Sequence, residues 1–280
     1  MNGRSESLKI AVEKPKTKEF KKRSTKLNLN WLLGGIIPLI LLITWEVAGR
    51  IGLIEAHLLP TPTKIINEII NMGAAGTLWG HIGTTLLRVG AGFFLGTIAA
   101  LILGSIVGYF TVFEKLMDPL IQAFRSIPSL AWVPLFILWM GIGESSKVTL
   151  IAVGVFFPVY LNIVSGIQGV DRKLIEVGKI YGFTSAQTLR KIILPASLPS
   201  FLVGLRSGLG LGWMFVVAAE IMGASKGLGY LLVVGQNTYS PHLVIASILL
   251  FAVIGKLTDS LLKNIEKKSL SWQDSFSNQR

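Results

Sequence analysis

The chain has 280 residues, 51% of them hydrophobic and only 15% charged, and its mean hydropathy is +0.61. A soluble domain carries about 25% charged residues, so this composition excludes an ordinary cytosolic enzyme, a nucleic-acid binder and a disordered scaffold. The net charge is +12, but nine Lys/Arg against three Glu fall within the first thirty residues, and the absence of Cys excludes a disulfide framework, a thiolate metal site and a cysteine nucleophile.

In chain order, residues 1–30 read as a polar, basic cytoplasmic tail held against anionic lipid. A helix needs about 20 mostly apolar residues to cross the hydrocarbon core of a bilayer. Trp31–Gly49 is the first such run, interrupted by Pro38 and Glu46. A signal peptide does not fit it, because the basic region is long and no small-residue cleavage site follows. Loop Arg50–Gly83 holds Leu59-Pro60-Thr61-Pro62 and an amphipathic stretch, Ile65–Met72, which predicts a short helix on the outer surface. Val89–Phe110 is the second span. Ile127–Gly143 is the third, with Pro128 and Pro134 predicting a bent helix that begins somewhat earlier. Val148–Gly169, Pro195–Gly223 and Ser240–Leu257 complete a count of six.

Lys and Arg alternate between rich and sparse loops. The tail, Asp171–Lys191 and the segment from Lys256 are rich, and the loops between them are sparse. The positive-inside rule then puts both termini and Asp171–Lys191 in the cytoplasm. The expected organisation is a basic tail over 1–30, a transmembrane domain over 31–265 with a cytoplasmic segment at 171–195, and a second tail over 266–280. The fold class is an all-α integral membrane protein.

Several chemistries lack their residues. No Gly-x4-Gly-Lys-Ser/Thr loop is present to cradle a phosphate. Gly208-Leu209-Gly210-Leu211-Gly212 has dinucleotide-like spacing but lies in an apolar span with no preceding strand. His57, His81 and His242 are isolated, so they predict no metal site, and no Ser–His pair sits within the spans. Glycine spacing is more informative. Gly92, Gly96, Ala100, Gly104 and Gly108 recur every four residues, as do Gly204, Gly208 and Gly212. Such seams let helix backbones approach closely, so packing is the expected role. Arg206 lies midway along the fifth span, where a charge costs about 2.5–3.5 kcal/mol. It reads either as a substrate-pathway residue for an anion or as a structural residue held by an ion pair or a backbone-carbonyl contact. Glu220 is about 21 Å further along the same helix, too far to be its partner there, and is placed near the outer mouth.

The most specified segment is cytoplasmic. Asp171–Ile180 predicts a short helix that Gly182 stops at positive φ. Thr184 or Ser185 then caps a second short helix leading to Leu194-Pro195. A loop with this much defined shape implies a protein partner.

Glu176-Val177-Gly178, then Gly182, then Ile192-Ile193-Leu194-Pro195 resembles the signature of the membrane permease subunits of binding-protein-dependent ABC importers. Glu176, Gly182, Ile192, Leu194 and Pro195 match in identity and spacing, while Val177 and Gly178 replace two alanines. Leu59–Pro62, Thr84–Gly92, Arg125–Ala131, Gly141–Lys147 and Gly227–Tyr230 are similar to the aliphatic-sulfonate, taurine and nitrate branch. Gly143–Ile167 and Gly255–Leu257 look most like sulfonate permeases. The resemblance implies a type I ABC importer permease fold in the bacterial inner membrane. It implies a second permease copy, two ABC ATPase subunits that bind ATP and Mg in place of any cofactor on this chain, and a periplasmic or lipid-anchored binding protein. No nucleic-acid partner is implied. The Glu176–Gly182 helix would be the coupling helix, and the cargo a small anion, an aliphatic sulfonate first, with taurine, nitrate or another small solute as alternatives. A secondary transporter or channel is the competing class; it would show inverted repeats or a mid-membrane carboxylate and would leave the cytoplasmic loop unexplained.

Overall fold

A computed structural model describes residues 29–128 and 131–272, with side chains from Gly35 onward. The expectations for the two tails lie outside these residues, except where helices run into them. Met1–Thr44 and Trp45–Arg280 form separate units. Among the described residues every regular element is helical. In order they are α1 Leu29–Arg50, α2 Pro62–Ala74, α3 Thr77–Tyr109, α4 Thr111–Ser126, α5 Trp132–Met140, α6 Glu144–Gln168, α7 Arg172–Ile180, α8 Ser185–Thr188, α9 Leu194–Ile221, α10 Leu228–Asn237 and α11 Pro241–Ser269, with a π turn at Leu189–Ile193 before α9.

In the first unit, the side chains of α1 from Ile36 to Ile43 are aliphatic and exposed apart from Pro38, as a lipid-facing helix requires. In the second unit, Glu46 accepts from Arg50 Nε at 2.6 Å, from the Thr63 amide at 3.0 Å and from the Thr63 hydroxyl at 2.7 Å. The carboxylate thus caps the first turn of α2, where backbone N–H groups lack helical partners. The predicted amphipathic helix is longer than its apolar stretch. It begins at Pro62, which suits a first helical turn, and buries Ile65 while packing against α3 and α11.

Among the described residues four helices have the length and hydropathy to cross a membrane: Thr77–Tyr109, Glu144–Gln168, Ser185–Ile221 and Pro241–Ser269. Three boundaries differ from the sequence reading. The second span starts at Thr77, because Thr77–Arg88 is too polar to register as apolar yet continues the helix. The last span runs through Lys263 and Glu266 to Ser269, so position 265 falls inside a helix. The third predicted span is not one bent helix. The backbone turns extended at Ile127 (φ −72°, ψ 124°) before Pro128, where a preceding residue is barred from the helical region. α4 and α5, of 16 and 9 residues, therefore lie in series, and at 1.5 Å per residue α5 alone rises only about 13 Å.

α6 is the central helix, with α3 and α9 packed along it. Both glycine seams face it. A Cβ built on Gly92 would lie 2.5 Å from Ile151, and one on Gly104 3.2 Å from Ile163; Gly108 abuts Ile167. On the other side Gly204 abuts Asn162, while Gly208 and Gly212 abut Val155. α6 answers with its own small residues, since Gly154 receives Phe215 and Gly166 receives Ser200. At Gly96 an added Cβ runs into the carbonyl oxygen of Ala152, and backbone cannot yield as a side chain can. Gly96→Val should therefore force α3 off α6 and cost about 1–3 kcal/mol, the usual range for overpacking. Gly90→Ala, which meets nothing within 4 Å, is the matched control. Thermal midpoints of the detergent-solubilised variants check this, with a drop expected for Gly96→Val alone.

Candidate functional site

The segment from Asp171 to Pro195 is built from local signals. Asp171 caps α7 by accepting from the Lys173 amide at 2.9 Å. α7 ends in a Schellman closure. Gly182 has φ +70°, its amide donates to Lys179 O at 3.0 Å, and the Phe183 amide donates to Gly178 O at 3.0 Å. Thr184 then caps α8 with a reciprocal box. The Gln187 amide donates to Thr184 Oγ1 at 3.3 Å, and the Thr184 amide donates to Gln187 Oε1 at 2.9 Å. Gly178 is buried, and a Cβ on it would sit 2.6 Å from Ile192 Cδ1. Ile192 thus occupies the space that a larger residue at 178 would take. Lys191 lies over the Phe183 ring at 4.9 Å.

Leu189–Ile193 is π-helical, with the Leu194 amide donating to Leu189 O five residues back. Pro195 explains the widening. It has no N–H, and its ring clashes with the carbonyl four residues earlier in a regular helix, which a single π turn relieves. The helix therefore passes unbroken from α8 into α9. Leu174, Val177 and Tyr181, spaced i, i+3, i+7, are 47%, 46% and 75% exposed, and Glu176 is exposed beside them. These side chains form an exposed apolar stripe on a helix held at both ends.

Arg206 is engaged by α11. Its Nε donates to Asp259 Oδ1 at 2.7 Å and its Nη2 to Asp259 Oδ2 at 3.2 Å, with Glu266 Oε2 at 3.9 Å from Nη1. Trp213 Nε1 adds a hydrogen bond to Thr258 Oγ1 at 2.9 Å. Of the two readings of Arg206, the geometry matches the ion pair; the guanidinium clamps α9 to α11.

A second polar cluster lies at the opposite end of the bundle. Arg88 is 3% exposed and Glu220 1%. Arg88 donates through Nε and Nη2 to Glu144, both at 2.6 Å, and through Nη1 to Glu220 Oε1 at 2.7 Å and to Lys226 O at 2.6 Å. Glu220 also accepts from Thr85 Oγ1 at 2.8 Å and from the Gly229 amide at 2.7 Å. The carboxylate therefore sits at the N-terminus of α10, where the helix dipole favours it. Gly227 has φ +123°, and a side chain there would collide with the Glu220 carboxylate. Its amide donates to His81 Nδ1 at 3.1 Å, so His81 is not isolated. α3, α6, α9 and α10 are thus tied by one network in which Arg88 and Glu220 are buried and Glu144 reaches the surface, and the buried charges are partnered, the condition under which such groups are tolerated. Arg88 stands at the edge of the second apolar run, and the sequence reading gave it no role of its own. The usable signal was that Thr84–Gly92, Gly141–Lys147 and Gly227–Tyr230 each stood out separately; they meet here.

The family model for the binding-protein-dependent transport system inner membrane component matches residues 65–270. The chain is 40% identical to the protein named the aliphatic sulfonates transport permease SsuC of Bacillus subtilis, over 95% of this chain and 96% of that one. It is 32% identical to the taurine transport system permease protein TauC of Escherichia coli, over 90% and 96%. A structure of the MetNI methionine ABC transporter in an inward-facing conformation superposes with TM-score 0.60 at 20% identity, covering 69% of this chain and 98% of the other. One of an amino acid ABC transporter gives TM-score 0.59 at 19% identity, covering 71% and 97%. The chain belongs to the family of binding-protein-dependent transport system inner membrane components and is a multi-pass permease subunit of an ABC importer.

Proposed function

We propose that this permease carries a small organic anion, an aliphatic sulfonate first, and that Asp171–Pro195 docks a separate ATPase subunit that binds ATP and Mg. The observation that carries the docking assignment is the exposed Leu174–Val177–Tyr181 stripe on a helix fixed by a cap at one end and a Schellman turn at the other. A mere connector would leave such residues to collapse. The sulfonate assignment is supported by the 40% identity to SsuC, and taurine is its near alternative.

The mechanism follows from rigidity. Two permease copies pair, and each seats α7 in a groove of one ATPase. ATP-driven closure of the ATPases moves α7, and the continuous helix from Ser185 to Ile221 carries that movement across the membrane. The Arg88–Glu144–Glu220 network makes the far ends of α3, α6, α9 and α10 move together. The result is a rigid-body switch between two packed states, fed by a binding protein on the α10 side.

This orientation puts both termini and α7 in the cytoplasm. A cysteine replacing exposed Ser185 should react with impermeant thiol reagents only in inside-out vesicles, and one replacing exposed Ser145 only from the opposite face. Reversed labelling would overturn the orientation. Affinity purification from the native host tests the partnership. An ABC ATPase should accompany the chain, and its stable absence in mild detergent would contradict the docking role.

A further inference from the structure

Arg125, exposed on the amphipathic helix α4, stands apart from Arg88 and Arg206. Arg88 is answered by Glu144 and Glu220, and Arg206 by Asp259. Among the described residues no carboxylate lies within 4.0 Å of Arg125, and its one side-chain hydrogen bond is a long one of 3.4 Å from Nη1 to Gln122 Oε1. A guanidinium that is exposed and has no carboxylate beside it is available to an anion. Arg125 lies on the last turn of α4, about 21 Å along it by helical rise, where the chain breaks before Pro128. It lines a recess of about 200 Å³ with Trp132, Phe157, Phe215, Gly154 and flanking aliphatic residues. Gly154 and Phe157 lie about 15 and 20 Å from the start of α6, and Phe215 about 9 Å from the end of α9, so the recess sits at mid-depth.

The chemistry of this recess is specific. A guanidinium presents a planar fork of donors that matches the oxygens of a sulfonate or carboxylate. The surrounding rings and aliphatic groups suit a short apolar tail. The volume falls below the 300 Å³ or more of sites for drug-sized ligands, as a solute of few atoms requires. A single cation also suits passage, since conduction needs binding weak enough to release.

We infer that Arg125 is the anion-contact residue of the translocation path, and that the recess it shares with Trp132, Phe157 and Phe215 holds the head group of a small organic anion in transit. The inference rests on the proposed anion-importer reading.

The test uses the complete importer, with ATPase and binding protein, in proteoliposomes, and labelled ethanesulfonate and nitrate as probes. Arg125→Gln should lower uptake about tenfold or more, the scale expected for losing a charge-assisted contact. Binding-protein-stimulated ATP hydrolysis should stay within about twofold of wild type, which a misfolded or undocked complex would not allow. Arg125→Lys keeps the charge without the fork and should give intermediate uptake. If the wild type carries either anion and Arg125→Gln carries it equally well, the inference falls and the importer reading stands. If the wild type carries only neutral or cationic solutes, both fall. If Arg125→Gln fails to assemble, Arg125→Lys decides. Assembly with reduced uptake supports the contact, whereas loss of assembly in both variants makes Arg125 structural and overturns it.

Discussion

Arg88→Ala is expected to destabilise this permease more than any surface substitution. The change leaves Glu220, 1% exposed, without its cation. Removing one partner of a buried ion pair costs about 3–5 kcal/mol, most of it the stranded charge. For a chain of this size that corresponds to a fall of roughly 10 °C in thermal midpoint on the scale of soluble domains. Glu220→Gln should cost less, since Arg88 keeps its two-pronged hold on Glu144 and the amide can still accept from Thr85 or Gly229. Combining Arg88→Ala with Glu220→Gln should recover part of the loss, because the charge stranded at position 220 is then gone. Thermal unfolding followed by size-exclusion chromatography of detergent-solubilised protein measures all three. A midpoint for Arg88→Ala within about 2 °C of wild type would show that the network carries little of the stability.

Gly182→Val should act on coupling and leave the bilayer-embedded part intact. An added Cβ at Gly182 meets nothing within 4 Å, so the objection is the backbone angle of +70° and not space. A left-handed residue with a Cβ costs about 1–2 kcal/mol, and a β-branched one is an outlier there. The Schellman closure to Lys179 and Gly178 should open, turning the Leu174–Val177–Tyr181 stripe away from its seat. Insertion and pairing should persist, while ATPase association weakens and binding-protein-stimulated hydrolysis is lost. Gly182→Asn is the discriminating control, because Asn tolerates the left-handed region and should retain most of the coupling. Equal, normal coupling in Gly182→Val and wild type would remove the docking role from this segment.

These two expectations come from different depths of legibility. The Gly182 turn, the Asp171 cap and the Thr184 cap lie within a few residues of the groups they satisfy, so the sequence displays cause and effect side by side. The apolar runs of α6 and α9 were visible for the same reason, as a composition sustained over a whole helix. The Arg88 network was not. Its members are separated by 56 and 132 positions, and nothing in one segment names the other. Arg206 illustrates the same limit, since its partner Asp259 is 53 residues away on α11 while a search along its own helix met only Glu220. What the sequence did hold was the rule that a charge in an apolar helix needs a partner or a path. Applied to Arg88, Glu144, Glu220, Arg206 and Asp259 together, it asks for pairings that only the packing of α3, α6, α9 and α11 supplies. The break between α4 and α5 escaped because the apolar run from Ile127 was read as one helix bent at its prolines, whereas the backbone is already extended at Ile127.

The central claim is that this chain moves solute on energy delivered by a separate ATPase through Asp171–Pro195. Its most direct test is labelled ethanesulfonate in proteoliposomes, measured with ATP on the α7 side, with a non-hydrolysable analogue, and with the ATPase omitted. The claim predicts accumulation against the gradient only with hydrolysable ATP, the ATPase and the binding protein all present. Accumulation that persists without the ATPase and follows an imposed ion gradient would contradict it.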